Sequence, residues 1–116
     1  MAISGAHVIV YSADPAADRA FFQDVLRYPH VDAGGGWLIF KLPPAEVAVH
    51  PSESTARHEL FLMCDDLDGT MTALRGSGVE FDEVTEARWG RLTRFRLPGG
   101  SDVGLYEPRH PRATEL

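Results

Sequence analysis

The sequence predicts an α+β domain of two tandem βαβββ modules, which form a curved, incompletely closed mixed sheet barrel with outer helices. Three observations predict it. Strand-like and helix-like segments repeat in two halves, each half opens with a histidine at the same distance before an aspartate, and each closes with a strand that stops at a proline. The 116 residues suit a single domain, 1–116. Module one is predicted at about 5–52 and module two at about 57–111.

The first half opens with a strand-like run and continues into a helix. Residues 6–11, AHVIVY, are β-branched and aromatic, which predicts a strand. Asp14 and Pro15 follow as a helix N-cap and a first helical residue. Apolar side chains then recur at helical spacing up to Leu26, and Pro29 ends the helix because proline has no backbone N–H to continue it.

Three short strands are predicted in the rest of the first half. Residues 30–40 must hold two of them around the glycine run at 34–36, so this half is cramped. Residues 45–50, AEVAVH, predict a third strand that Pro51 stops. Because the glycine run precedes a strand and not a helix, it does not form a phosphate-binding loop.

The second half repeats this order. Residues 58–64 predict a strand, and Asp65 and Asp66 stand where Asp14 stood. Residues 67–78 predict a helix with glycines near its C-terminus. Three further strands are predicted, the last two joined by a GGSD hairpin turn: 79–84, 89–98 and 103–108.

Composition limits the class of protein. Hydrophobic residues make up 44% of the chain and charged residues 24%, as in a globular domain. No apolar run approaches the roughly 20 residues of a membrane span, and no basic segment precedes the first apolar run, so neither a membrane anchor nor a signal peptide is predicted. Cys64 is the single cysteine, which excludes an internal disulfide, predicts an inert thiol and favours a cytoplasmic location.

The charge distribution argues against a nucleic-acid partner. The formal net charge is −6, whereas phosphates require a basic face. One basic cluster stands out within residues 88–96: Arg88, Arg91, Arg94 and Arg96. This cluster is interpreted either as a solvated sheet surface or as a small electropositive lip that attracts an anionic substrate.

Polar residues occur at equivalent ends of equivalent predicted strands. His7 and His58 open the first strands of the two halves, and His50 and Glu107 close the last strands. If the apolar faces of these strands line one trough, two imidazoles and a carboxylate converge there, with His50 as a possible fourth ligand or a general base. Such a donor set is typical of non-heme iron and also suits manganese, nickel or zinc.

Other interpretations of the same residues remain open. A single histidine at a strand end is often a surface residue, and Glu107 could form a rim salt bridge with Arg109 or simply face solvent. The agreement of three positions under the repeat favours a metal site at His7, His58 and Glu107 over these alternatives.

The chain resembles the vicinal oxygen chelate superfamily, which includes glyoxalase I, bleomycin-resistance proteins and extradiol dioxygenases. The resemblance extends from Ala6 to Pro111, and its most specific stretches are DPAADRAFFQDVLRYP and LPGGSDVGLYEP. It implies that His7, His58 and Glu107 match the metal ligands of the superfamily. His50 stands where glyoxalase I and methylmalonyl-CoA epimerase carry a glutamate, which departs from those two enzymes.

Two functions follow from these residues and this resemblance. The first is a metal-dependent enzyme, which chelates a small oxygen-rich metabolite through neighbouring oxygens. Such an enzyme would be a lyase, an isomerase or a ring-cleaving dioxygenase. The divalent ion would act as a Lewis acid, and His50 and Glu107 are the catalytic candidates. The second is a non-enzymatic protein that sequesters an aromatic natural product, as bleomycin-resistance proteins do. The resemblance also implies a homodimer.

Aromatic residues supply the candidates for substrate binding. Trp37, Phe40 and Trp89 could stack on a ligand or pack in the core, and Tyr11 could form a hydrogen bond with a substrate. Tyr106 is a weaker candidate, because strand alternation points it away from Glu107.

Overall fold

The computed structural model of the protein describes residues 7–53 and 57–116. It contains two α-helices and six strands within these residues: α1 (Pro15–Ala20), β1 (His30–Asp32), β2 (Leu38–Phe40), β3 (Phe61–Met63), α2 (Leu67–Arg75), β4 (Thr85–Ala87), β5 (Gly90–Arg96) and β6 (Asp102–Pro108). A π-helical turn (Phe21–Val25) continues α1, and a short 3-10 helix (Ala113–Glu115) lies near the C-terminus.

Helix α1 begins where the sequence predicts. The Asp14 carboxylate accepts a hydrogen bond from the Ala17 N–H at 3.2 Å, and Pro15 occupies the first turn. The helix then widens, because the Leu26 N–H bonds to the Phe21 carbonyl, a π-helical spacing, at 3.1 Å. The predicted helix to Leu26 is therefore present, with a change of pitch in its second half.

The second half of the chain has the predicted element order, β3–α2–β4–β5–β6. Its four strands form one sheet in the order β3-β6-β5-β4. Strand β6 lies parallel to β3 and antiparallel to β5, so it is an inner strand with a neighbour on each side. The strand predicted at 79–84 forms later, at β4, and only Phe81 of that segment makes a bridge, to Phe95.

The first half is more open than the sequence predicts. Its helix is followed by the two-stranded antiparallel hairpin β1–β2. The strands predicted at 6–11 and 45–50 are absent from their described residues, and Ala6 lies outside those residues. Both predictions rest on β-branched patterning, but a strand also needs a hydrogen-bonded neighbour. Most of their side chains are exposed instead, with Ile9 at 63% and Val49 at 93%.

The first half is held to the second through the turn between β5 and β6. The Asp18 side chain on α1 is buried, and its Oδ1 accepts a hydrogen bond from the Gly99 N–H at 2.6 Å. The Ser101 hydroxyl donates to the Tyr11 carbonyl at 2.6 Å. These bonds join segments that are far apart in sequence, so the position of α1 depends on the hairpin turn.

The core lies between α2, the sheet and the first helix. Its buried apolar residues come from both halves of the chain: Phe22, Leu67, Met71, Val79, Phe95, Leu97, Val103 and Leu105. Within the described part of the chain, no helix is long and apolar enough to cross a membrane. The observed mixture of helices and an unclosed sheet confirms the predicted α+β class.

Substitution Leu67→Ala tests the central position of the α2 N-terminus in this core. Leu67 is fully buried, and truncation of a buried leucine leaves a cavity that costs about 2–5 kcal/mol. We expect the free energy of unfolding, measured by urea denaturation, to fall by that amount. Leu116→Ala is the control because Leu116 is fully exposed, and an equal loss in both variants would contradict the assigned core.

Candidate functional site

The residues predicted to bind a metal lie in different environments. His7, His50 and His58 are exposed and lie outside the strands, whereas Glu107 is half-buried near the end of β6. Within the described part of the chain, no three His, Cys, Asp or Glu side chains are grouped so that they could hold a metal ion.

Glu107 has a partner in the protein. Its Oε1 accepts a hydrogen bond at 3.0 Å from the backbone N–H of Leu67, the first residue of α2. Asp66 supplies the local cap, since its Oδ1 accepts from the Gly69 N–H at 3.1 Å. Two carboxylates therefore satisfy N–H groups at this helix end, where the helix dipole also favours negative charge.

This arrangement does not fit the predicted metal centre. Strand alternation turns Glu107 toward α2, together with the core residue Leu105, and away from the opposite face of the sheet. The carboxylate is engaged by a helix N-terminus, and among the residues that the structure describes no pair of imidazoles accompanies it. His7, His58 and Glu107 therefore stay a prediction from the sequence, and we assign no chemistry to a metal at them.

Three aromatic rings pack together on the face of the sheet opposite α2. Phe61 lies on β3, Tyr106 on β6 and Trp89 before β5. Their ring centroids are 5.2–6.4 Å apart: 5.2 Å for Trp89 and Tyr106, 5.7 Å for Phe61 and Tyr106, and 6.4 Å for Phe61 and Trp89. All three pairs meet edge to face, the geometry that aromatic quadrupoles favour. We call these three residues the aromatic face.

The backbone and one arginine position Phe61. A Cβ at Gly104 would collide with the Phe61 ring, so glycine at this site on β6 lets the ring lie against the strand. The Arg94 guanidinium lies 5.0 Å from the centre of the Phe61 ring and also pairs with Glu59 at 3.4 Å. The aromatic face thus carries a polar pair beside its apolar surface.

The Tyr106 hydroxyl lies within a polar network at the edge of the aromatic face. It is 3.3 Å from Glu46 Oε1 and 3.3 Å from His110 Nε2. Burial raises the pKa of Tyr106, and the nearby Glu46 carboxylate raises it further. The phenol therefore stays protonated at neutral pH and can donate a hydrogen bond.

Only Trp89 of the four predicted substrate-binding residues belongs to the aromatic face. Phe40 packs in the first half against Phe22, with ring centroids 5.5 Å apart. Trp37 is exposed in the hairpin turn, under the Arg19 guanidinium, and Tyr11 is 84% exposed. Among the described residues, the ring contacts of Trp89 are with Phe61 and Tyr106, and none is with Tyr11, Trp37 or Phe40.

Sequence reasoning did not select Phe61, Glu46 or His110 and ranked Tyr106 low. Tyr106 does point away from Glu107, as predicted, and for that reason it lies on the aromatic face. The sequence signal for this face was the alternation along β6, which places Gly104 and Tyr106 on the same side of the sheet. Glu46 gave none, because it meets Tyr106 only through the tertiary fold, whereas His110 lies just four residues after Tyr106.

Ion pairs decide between the two interpretations of the basic cluster. Three of its arginines contact carboxylates: Arg91 contacts Asp68 and Glu86, Arg94 contacts Glu59, and Arg96 contacts Asp102. Because these partners neutralise the cations locally, the cluster is better described as a solvated sheet surface than as an electropositive lip.

Cys64 is half-buried at the end of β3, and burial is the main cause that raises the pKa of its thiol. Its Sγ lies 3.6 Å from the Tyr106 carbonyl oxygen. A thiol with a raised pKa is a poor nucleophile. The structure thus agrees with the predicted inert cysteine.

Comparison with solved structures identifies the fold. TnmS3, an antibiotic-binding protein from Streptomyces sp. CB03234, superposes with a TM-score of 0.68 at 26% identity, over 93% of this chain and 98% of that one. Lactoylglutathione lyase from Agrobacterium tumefaciens gives 0.63 at 18% identity, over 91% and 95%. A glyoxalase/bleomycin resistance protein from Streptomyces sp. CB03234 gives 0.56 at 24% identity, over 84% and 94%.

The chain has the glyoxalase/bleomycin-resistance fold. This finding confirms the resemblance to the vicinal oxygen chelate superfamily. No family model matches the sequence, and a search of curated proteins finds no match. The glyoxalase/bleomycin-resistance fold accommodates both a lyase and an antibiotic-binding protein among these neighbours, so the fold by itself leaves the function undecided.

Substitution Glu107→Ala separates a helix cap from a metal ligand. Loss of a cap costs about 0.5–2 kcal/mol, so we expect the free energy of unfolding to fall by that amount. The loss should be equal before and after treatment with a chelator, as measured by urea denaturation.

His58→Ala and Glu83→Ala are the controls for this measurement, because both side chains are exposed, and neither should change the stability. The cap assignment is wrong if Glu107→Ala and His58→Ala destabilise the protein equally and only in the presence of iron, manganese, nickel or zinc.

Proposed function

We propose that this protein binds and sequesters an aromatic small molecule, an antibiotic or a related natural product, at the aromatic face. The observation that carries this proposal is the packing of Phe61, Trp89 and Tyr106 on one side of the sheet, with Trp89 38% exposed. An aromatic ligand that stacks on Trp89 would bury the exposed part of this ring, which its contacts with Phe61 and Tyr106 already hold in position.

The chemistry around the rings suits a ligand with both apolar and polar groups. The rings offer contact area that is already fixed in position, which lowers the entropic cost of binding. Arg94 and Glu59 lie beside Phe61 and offer a donor and an acceptor at the rim. Binding sites for small molecules combine apolar surface with a few polar groups in this way.

The solved structures support this proposal to different degrees. TnmS3 is an antibiotic-binding protein, and this chain has 26% identity to it over nearly all of both chains. Lactoylglutathione lyase, at 18% identity, supports the fold alone. The enzyme hypothesis requires His7, His58 and Glu107 to converge on an ion, and metal analysis of protein purified without chelators tests it. A stoichiometric metal that is lost in His7→Ala and Glu107→Ala would replace the binding proposal with an enzyme.

The protein is also proposed to act as a homodimer in the cytoplasm. Two segments of the first half expose rows of β-branched residues: Val8 and Ile9, and Val47 and Val49. Strand β3 is at an edge of the four-stranded sheet. Unpaired strand-like segments and an open sheet edge favour pairing with a second copy of the chain.

Substitutions in the aromatic face test the binding proposal. Aromatic pairs contribute about 0.5–1.5 kcal/mol beyond buried area, so Trp89→Ala and Phe61→Ala should weaken binding about two- to tenfold. The measurement is isothermal titration calorimetry against a panel of planar aromatic antibiotics and bleomycin.

Val31→Ala, an exposed change in the β1–β2 hairpin, is the control and should bind like wild type. Trp37→Ala tests the other predicted tryptophan, and a loss of binding there, with none in Trp89→Ala, would move the ligand to the hairpin. Failure of the whole panel to bind wild type would count against sequestration of this class of compound.

The double substitution Val47→Lys, Val49→Lys tests the homodimer. Val47 is 90% exposed and Val49 93% exposed, so the change should not disturb a monomer. We expect wild type to sediment as a dimer and the variant as a monomer in analytical ultracentrifugation. Wild-type protein that stays monomeric at every protein concentration measured would overturn the expectation.

A further inference from the structure

A groove on the core side of the sheet is separate from the aromatic face. It lies where the π-helical turn after α1, the segment that follows α2 and the β5–β6 hairpin meet. Its volume of about 460 Å³ is within the range of about 300–1,000 Å³ that is usual for small-molecule sites. The lining includes three aromatic and three acidic side chains and none of the three rings of the aromatic face: Phe21, Phe81, Phe95, Glu80, Asp82 and Asp102.

Three phenylalanine rings form the apolar part of the groove. Phe95 on β5 is buried in the core and contacts both of the others, with ring centroids 5.9 Å from Phe21 and 5.7 Å from Phe81. A backbone bridge also joins Phe81 to Phe95. Phe21 and Phe81 are half-buried. Part of each ring is therefore open to a ligand, while its contact with Phe95 holds it in position.

The charges around these rings favour a positively charged ligand. Three carboxylates line the groove, but it contains one guanidinium, that of Arg96, which pairs with Asp102 at 3.2 Å. Among the described residues, no ion pair or side-chain hydrogen bond involves the carboxylate of Glu80 or of Asp82. These two groups are available to a cation, and the net charge of −6 adds long-range attraction.

The protein already places a cation on one of these rings. Arg75, the last residue of α2, holds the central carbon of its guanidinium 5.6 Å from the centre of the Phe81 ring. Aromatic rings attract cations because their faces carry partial negative charge. The cavity that Arg75 lines shares Glu80 and Phe81 with the groove. A planar cation thus fits against Phe81 at one end of this surface.

We propose that this groove is a second binding site, for a small organic cation in which a protonated amine or amidine is attached to an aromatic ring. The ring of the ligand packs against Phe21 and Phe81, and its positive group pairs with Glu80 and Asp82. Because Phe21 belongs to the first half of the chain and Phe81 to the second, the bound cation also stabilises the junction between the halves. This site is independent of the proposed function at the aromatic face.

Benzamidine, an aromatic ring with an amidinium group, is the probe for this site, and benzyl alcohol and benzoate are its neutral and anionic counterparts. We expect benzamidine to bind with a Kd on the order of 1 mM and to shift the backbone amide NMR signals of residues 77–82. Benzyl alcohol should bind more weakly, and benzoate should cause no saturable shift. Equal binding of benzoate and benzamidine would overturn the choice of a cation.

Charge substitutions test the position of the cation. Glu80→Gln and Asp82→Asn should each weaken benzamidine binding about threefold, because an exposed ion pair contributes little. Asp82 bonds to the Thr93 hydroxyl through its backbone carbonyl, so Asp82→Asn keeps that contact. Glu83→Gln is the matched control, since Glu83 is exposed beside Asp82 but does not line the groove. An equal loss in all three variants would reduce the effect to net charge and overturn the site.

Substitution Arg75→Gln should change the affinity in the opposite direction. It removes the guanidinium that contacts Phe81, so benzamidine should bind about threefold more tightly. Arg88→Gln removes the same charge from an exposed residue outside the groove and should bind like wild type. Phe81→Leu keeps an apolar side chain without the ring and should weaken binding about threefold. Unchanged affinity in both Arg75→Gln and Phe81→Leu would overturn the ring contact.

Thermal denaturation measures the stabilisation of the junction between the halves. Benzamidine at about ten times its Kd should raise the melting temperature by about 5 °C, and the rise should be smaller in Glu80→Gln. A melting temperature that benzamidine leaves unchanged in wild type would overturn the site.

The Trp89→Ala variant separates this inference from the proposed function. Benzamidine should bind Trp89→Ala like wild type, because Trp89 does not line the groove. Benzamidine binding that is lost in Trp89→Ala would place this ligand at the aromatic face and overturn the second site. Failure of benzamidine to bind wild type overturns the second site and leaves the proposed function standing. Dissociation of a wild-type dimer by benzamidine would assign the groove to a second copy of the chain and also overturn the proposal.

Discussion

The alternation of side chains along the inner strand β6 is the constraint on which both the core and the candidate site depend. Because β6 is paired on both sides, successive residues must point to opposite faces of the sheet. Val103 and Leu105 enter the core below α2, whereas Gly104 and Tyr106 form part of the aromatic face. A shift of register by one residue would exchange these two sets.

The same alternation gives Glu107 a structural role. A glutamate at the end of a buried strand needs a partner, and the N-terminus of α2 lies within reach on the core side of the sheet. The hydrogen bond to the Leu67 N–H links the end of β6 to the start of the helix that covers it. Strand and helix are thus joined by an electrostatic contact at the point where Leu67 enters the core.

The two halves differ because their strands have different numbers of neighbours. In the second half, four strands satisfy one another and bury a shared core. In the first half, the helix packs through Phe22 and Asp18, but among residues 7–53 and 57–116 no strand pairs with the segments around Ile9 and Val49. Backbone pairing is a property of the assembled sheet, so β-branched patterning alone cannot ensure it.

The sequence by itself determined the α+β class, the order of elements in the second half, the Asp14 cap of α1 and the superfamily resemblance. These features depend on local propensity and on short motifs, which a single chain segment contains. The tertiary structure alone decided which group Glu107 contacts and which residues form the aromatic face. Glu107 meets Leu67, and Tyr106 meets Glu46, only after distant segments pack together. Strand alternation can assign a side chain to a face of the sheet, but the packing of helices and connecting segments decides what that face contacts.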